Sequence, residues 1–361
     1  MWFRYALLAL ISMVFVACSA ITTTPTASEA PKGASPSPTP SGSATASAPI
    51  NGELVVYSGR SEALIKPVLD AFQAQHPEVK ILLRAGSNSE LANALIEEQA
   101  NPQADVFITT ELFTIQALAQ EGVLQSYLPP GADQWPAEFI GPDQMWVGLT
   151  RRARVILYNT DQVSPEEAPT SIFELTDPKW KGQIAATGST NGSMQAQIAV
   201  MRQLIGEEAT KEWLQGLIAN QTTFFGGHTD VRKAVGAGEF KLGLVNHYYY
   251  HLQKDEGSPV GVVYPDQGEN QIGLITNATA AAIVKGARNL AAAQALVDFL
   301  VSSEGQRLFA ERNYEYPIRA GVPLREGVLP LEQVRLAEVN VSAAAAEFDA
   351  VFQLIEEVGL P

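Results

Sequence analysis

The sequence predicts an α/β protein of two lobes with a cleft between them, and three observations point there. From Leu54 onward a strand, a turn and a helix follow one another three times, the signature of a parallel sheet. The chain has 361 residues, more than one simple doubly wound sheet needs, so a second lobe is required. Its composition, 46% hydrophobic and 17% charged, is that of an ordinary globular protein with a sizeable core.

The first fifty residues stand outside that pattern. Arg4 precedes Ala6–Ala17, an apolar run in which Ser12 is the only polar residue. The run is too short for a hydrocarbon core of about 30 Å. A basic start, a short apolar stretch and a small-residue exit read as a secretory signal over residues 1–17. The exit Val14-Phe15-Val16-Ala17-Cys18 resembles a bacterial lipobox, which makes Cys18 the lipidated mature N-terminus. Residues 18–50 then form a tether, because a segment of Ser, Thr, Pro, Ala and Gly buries too little apolar surface to order itself.

The folded part begins with a strand at Leu54-Val55-Val56-Tyr57, followed by Ser58-Gly59-Arg60-Ser61 and a helix with apolar positions Leu64, Ile65, Val68, Leu69 and Phe72. Val79–Arg84 is a second strand. Ser87 and Glu90 have capping-box spacing for a helix through Glu98. Asp105–Thr109 is a third strand, with a helix to Gly122. Later strands fall at Val155–Tyr158, Gln183–Ala186 and Lys241–Val245; helices fall at Ser193–Leu204, Glu207–Ala219 and Leu290–Leu300. Ligands of such sheets bind beyond the strand C-termini, at helix N-termini.

A formal charge of -15 repels phosphate backbones and anionic membrane surfaces, which argues against nucleic-acid binding. One cysteine excludes disulfides within the chain and Cys-ligated zinc or iron–sulfur sites. Gly188-Ser189-Thr190-Asn191-Gly192 has Thr at the nucleophile position of a Gly-x-Ser-x-Gly elbow, and the sequence contains no Walker loop and no His-Glu-x-x-His. These observations favour a binding protein over an enzyme.

The unusual feature is Asn246-His247-Tyr248-Tyr249-Tyr250-His251, directly after a strand. Three successive tyrosines cannot all face one core in a strand or in a helix. A phenolate is a hard oxygen ligand suited to Fe(III), which displaces the proton of a group whose free pKa is near 10. Two other readings fit the same residues: amphipathic packing with the hydroxyls in water, and a helical zinc pair from His247 and His251.

The chain resembles the periplasmic ferric-ion-binding proteins, solute-binding components of iron(III) ABC transporters. The resemblance rests on Val56-Tyr57-Ser58-Gly59-Arg60, Ala104-Asp105-Val106-Phe107, Trp146-Val147-Gly148-Leu149-Thr150 and Arg152-Ala153-Arg154-Val155-Ile156-Leu157-Tyr158-Asn159. It continues in Asp177-Pro178-Lys179-Trp180-Lys181-Gly182, Asn246-His247-Tyr248-Tyr249, Val297-Asp298-Phe299-Leu300 and Tyr316-Pro317-Ile318-Arg319-Ala320. It implies the type II periplasmic-binding-protein fold, with the ligand cleft between lobes joined by a hinge. Lobe 1 would comprise residues 51–152 and 273–325, lobe 2 residues 153–272 and 326–361.

The resemblance also implies a site. Tyr248 and Tyr249 match the family's metal-binding pair, and Tyr158 falls where many members add a third tyrosine. Where some members have a His or a His-Tyr pair this chain has Ser61 and Glu62, and where some have a Glu it has Thr110, with Glu111 beside it. A synergistic anion, carbonate or phosphate, would then complete the metal's coordination. Arg60 and Arg152 offer planar forks for it, and Asn191, Gly192 and Ser193 offer backbone N–H groups at a helix mouth. His228 falls at a cleft polar position.

The implied function is a monomeric, extracytoplasmic, lipid-anchored receptor that hands Fe(III) to a membrane permease with its own ATPase. The same fold binding an organic solute (thiamine, a polyamine or a phosphonate) is the alternative. A metal-dependent hydrolase using His247, His251 and Glu111 is the third reading.

Overall fold

The computed structural model describes residues 50–340 and 348–361. The signal segment, Cys18 and the tether up to residue 49 lie outside the described residues. Three βα units open the fold: β1 (Gly52–Ser58), α1 (Glu62–Gln75), β2 (Val79–Ala85), α2 (Asn88–Glu97), β3 (Val106–Thr109) and α3 (Leu112–Gln120). β1 pairs in parallel with both β2 and β3, as the strand–turn–helix pattern requires. Ser87 caps α2 by accepting from the Glu90 N–H at 3.2 Å.

After β4 (Leu124–Gln125) comes β5 (Val147–Asn159), the longest strand of the chain's described residues. The sequence shows only its second half as a strand, because Arg151, Arg152 and Arg154 interrupt the apolar run. The structure buries Arg152 and Arg154 and keeps the strand continuous. Further along lie β6 (Ile184–Thr187), α4 (Gly192–Ile205), α5 (Glu207–Ala219), β7 (Thr223–Phe225), α6 (His228–Gly236), β8 (Leu242–Asn246), α7 (His247–Asp255) and β9 (Val260–Val263). β10 (Thr276–Val284), α8 (Leu290–Val301), α9 (Ser303–Asn313) and β11 (Tyr316–Pro317) follow, and a C-terminal helix spans Phe348–Val358.

The strands run in the order β2-β1-β3-β10-β5-β8-β6-β7. β5 joins the two halves. Its residues Val147–Ala153 pair antiparallel with β10, and Arg154–Tyr158 pair antiparallel with β8. One apolar core, around Phe72, Phe107, Leu296 and Phe309, lies on the first half. Two others, around Trp213 and Leu244 and around Val155 and Val245, fill the second. Val351, Leu354 and Ile355 of the C-terminal helix pack into the second half.

The segment Asn313–Tyr316 crosses from α9 to β11 and carries Glu315 into the interior. Glu315 forms a buried ion pair with Arg60, accepts from the Thr150 hydroxyl, and accepts from the Asn313 amide at 3.2 Å. Removing one member of a buried ion pair leaves an uncompensated charge in a low-dielectric site. Glu315→Ala should therefore lose about 3–5 kcal/mol of stability, read as a lower urea midpoint; a change within ±0.5 kcal/mol, the size of a surface substitution, would contradict this role.

Candidate functional site

A cavity of about 280 Å³ is lined by residues from the loops that follow β1, β2, β3, β6, β7 and β8. Those are the C-terminal ends of the parallel strands on both halves of the sheet, where an open α/β sheet receives ligands. With Arg152 of β5, seven chain segments thus converge on one space, and three of the loops open directly into α4, α6 and α7, whose first-turn N–H groups have no partner within their helix.

The tyrosines sit at the start of α7. Tyr248 and Tyr249 are buried and line the cavity, with ring centroids 4.3 Å apart. Burial, the neighbouring Tyr248 and their mutual hydrogen bond hold the Tyr249 phenol well above its ordinary pKa, against the opposing pull of Arg60 and Arg152. Tyr250 does not line the cavity, and its ring instead meets the Lys254 ammonium at 5.5 Å.

His247 fixes the start of α7. Its Nδ1 accepts from the Ala153 N–H at 3.2 Å and its Nε2–H donates to the Tyr314 carbonyl at 2.8 Å. Tyr316 stacks on the ring at 4.3 Å. Burial pushes this imidazole down to about 3, so it is neutral at any physiological pH. With both nitrogens engaged it has no lone pair for a metal, which removes the zinc pair and the hydrolase that needs it.

The two arginines expected to hold an anion differ. Arg60 lines the cavity, but its terminal nitrogens donate to Glu315 and to Thr279 at 2.9 Å. Arg152 also lines the cavity, and its Nε and Nη2 are buried with no hydrogen-bond partner among the described residues. Asn191 caps α4 by accepting from the Ser193 N–H at 3.0 Å, which places Asn191, Gly192 and Ser193 at the cavity wall.

His228, at the first position of α6, is buried against the cavity with its ring 5.1 Å from that of Tyr249. Ser61 lines the cavity, whereas Glu62 beside it is exposed and does not.

Tyr158 is not brought to this cavity. On β5 it pairs with Leu242, at the beginning of β8, while Arg154 pairs with Asn246 at the end that leads into the tyrosines. Four residues of strand separate the two positions, about 13 Å. Its ring covers Gly261 of β9, where a Cβ would lie 2.2 Å from the ring. Glu111 is occupied as the N-cap of α3. It accepts from the Phe113 and Thr114 N–H groups at 2.6 and 2.9 Å and from the Asn88 amide at 3.1 Å.

Residues that sequence reasoning passed over complete the site from behind. Arg154 is fully buried; its Nε donates to Gln197 at 2.9 Å and its Nη1 reaches His228 Nε2 at 3.3 Å and Asn246 at 3.4 Å. Burial and the Arg152 charge lower its pKa to about 9, which leaves it charged at neutral pH. Asn246 in turn donates to the Ser193 hydroxyl at 3.2 Å. Their one sequence signal is the Arg-x-Arg pattern inside an otherwise apolar strand.

None of the residues lining the cavity is Asp or Glu, although the whole chain carries a charge of -15. Among the described residues no group of three or more His, Cys, Asp or Glu is placed to hold a metal. The site is therefore cationic and phenolic. It suits an anion together with a hard cation that prefers phenolate oxygen.

A family model described as a bacterial extracellular solute-binding protein matches residues 101–334. Iron uptake protein A1 of Synechocystis is 32% identical over 317 residues, covering 85% of this chain and 87% of that one. The crystal structure of iron-bound HitA from Pseudomonas aeruginosa superposes with a TM-score of 0.78 at 29% identity, covering 85% of this chain and 99% of that one. A Trichodesmium protein solved in complex with iron and citrate gives 0.69 at 30% identity, covering 85% and 99%.

The cavity walls meet at Gly192. A Cβ there would lie 2.5 Å from the Asn88 amide and 3.2 Å from both the Thr110 hydroxyl and the Glu111 side chain, which belong to the other half of the sheet. Gly192→Val should hold the halves apart. Overpacking of about 1–3 kcal/mol confined to the closed form lowers ligand affinity by about ten- to a hundredfold. Small-angle scattering should show a variant that stays expanded when ligand is added; full compaction would refute the contact.

Proposed function

The chain belongs to the bacterial extracellular solute-binding protein family, and from that premise we propose that it captures ferric iron outside the cytoplasm for an ABC importer. The observation that carries the reading is the pair of buried, adjacent tyrosines at the start of α7, facing a cavity with arginine but no carboxylate. Two phenolates offset part of the Fe(III) charge, and an anion held by Arg152 and the α4 and α6 N-termini offsets the rest. The names of the Synechocystis relative and of the iron-bound Pseudomonas structure support the same cargo. Tyr158 is left out of the ligand set because the strand register carries it away from the tyrosine pair.

In this reading residues 51–152 and 273–325 form one lobe, 153–272 and 326–361 the other. β5 and β10 connect them, so closing is a hinge motion stabilised by a ligand touching both sides. Cys18 carries the lipid that keeps the receptor at the membrane, and the loaded form docks on a permease served by a separate ATPase. The fold's task is capture and release, with no bond made or broken in the cargo.

Titration of the protein with ferric citrate should produce a visible phenolate-to-iron charge-transfer band that saturates at one equivalent. Tyr248→Phe and Tyr249→Phe should each weaken or abolish it; an unchanged band in both would exclude the pair as ligands. Because the Tyr249 phenol keeps its proton until a metal displaces it, binding releases protons and affinity rises with pH. Each unit of acidification near neutrality should weaken binding by about tenfold for that one phenol. Affinity independent of pH would contradict proton displacement.

A further inference from the structure

We propose that a second cavity, on an open edge of β10, binds a short free peptide of about three residues by strand addition. This site is separate from the tyrosine cavity and independent of the ferric reading. It has a volume of about 390 Å³, takes its walls from α3, β10, α4 and the segment Leu336–Val339, and shares no lining residue with the tyrosine cavity. Val200, its contact on α4, lies eight residues beyond Gly192, about 12 Å along the helix.

The hydrogen-bond pattern of β10 leaves the edge open. The Arg154 N–H donates to the Ile275 carbonyl at 2.9 Å, whereas the Ala153 N–H, opposite Thr276, turns away to His247. In an antiparallel ladder the facing direction alternates, so Asn277 and Thr279 bond to β5 while Thr276 and Ala278 point their N–H and C=O groups to the other side. On that side Leu274 is paired: its N–H donates to Arg335 at 2.8 Å and its carbonyl accepts from Ala337 at 2.9 Å. Ala280 is paired with Thr109 of β3. Between them Thr276 and Ala278 have no backbone partner among the described residues, and both line the cavity. An unpaired strand edge is a template for an added strand.

The remaining lining suits a peptide. Leu112, Phe113, Phe139, Val200 and Val339 offer apolar contact for side chains. Asn277 also lines the cavity, and its amide nitrogen and oxygen are both buried without a partner among the described residues. An amide with donor and acceptor unmet calls for a ligand that supplies both, as a peptide group does. Glu138 and Glu338 stand at the same cavity for an ammonium. Arg151 donates to Glu138 through Nη2 at 3.0 Å, which leaves Nε and Nη1 for a carboxylate. Both ends of a free peptide therefore find opposite charge.

Length follows from the edge. The two open positions are about 7 Å apart, the reach of about three residues. Beyond them the neighbouring pairs at Leu274 and Ala280 close the edge, so a strand that runs on in either direction has no room. That selects a free short peptide over a segment of a larger partner.

The probe is the uncapped tripeptide Val-Ala-Val, titrated into the full chain by calorimetry and followed by hydrogen exchange. Saturable binding with a dissociation constant at or below about 1 mM is expected, with slowed exchange in the segment carrying Thr276 and Ala278. The analogue methylated at both peptide nitrogens keeps the side chains and terminal charges but donates nothing from its backbone; it should bind at least about fivefold more weakly. Ala278→Pro removes one edge N–H without touching the β5 ladder and should weaken the tripeptide by at least about fivefold, as should Asn277→Leu. The heptapeptide of the same repeat should bind at least about tenfold more weakly. No saturable binding of the tripeptide, undiminished affinity of the methylated analogue, or a heptapeptide that binds as tightly would each overturn the proposal. None of these readouts involves iron, so their failure leaves the ferric reading intact.

Discussion

Glu315 takes the Arg60 guanidinium in an ion pair that water does not reach, and the same short crossing holds His247 through the Tyr314 carbonyl and the Tyr316 ring. One segment thereby sets two properties of the site. It neutralises the arginine nearest the first lobe, so the positive potential of the cavity comes from Arg152 and Arg154. It also anchors the first residue of α7, so Tyr248 and Tyr249 have a fixed position before any ligand arrives. Preorganised ligands lose little conformational entropy on binding, which is what a receptor needs to hold a metal tightly.

Fixing the tyrosines leaves closure to the opposite wall. Asn88 sits between Gly59 and Gly192, either of which would clash with it if it carried a Cβ. The same amide donates to Thr110 at 2.8 Å and to Glu111 at 3.1 Å. Small residues at those two positions let helix N-termini from both halves of the sheet approach one ligand. A ligand that touches both walls then supplies part of the difference between open and closed forms.

The sequence made the parallel βα repeats legible because each unit carries its own pattern: an apolar strand, a turn and a capped helix. The loops after those strands, with Arg60, Asn191 and His228, were legible for the same reason, since strand ends mark where ligands bind, whereas Arg152 lies inside β5. Tyr158 shows the limit. Its motif lies on the correct strand, but the direction in which β5 pairs with β8 decides which end meets the tyrosines, and that register is a tertiary property. Glu315 lies 255 residues from Arg60 in the chain, and no local pattern announces such a pair. The tautomer of His228 depends likewise on Arg154, 74 residues away.

The central claim is that two adjacent phenolates hold the metal. Resonance Raman spectra of the ferric-citrate-loaded protein, excited within its visible band, test it most directly, because only rings bonded to iron are enhanced. The account requires tyrosinate ring modes that fall in intensity in Tyr248→Phe and in Tyr249→Phe. Enhanced modes that persist in both variants, or a loaded protein with no tyrosinate modes, would place the iron on other ligands and contradict the account.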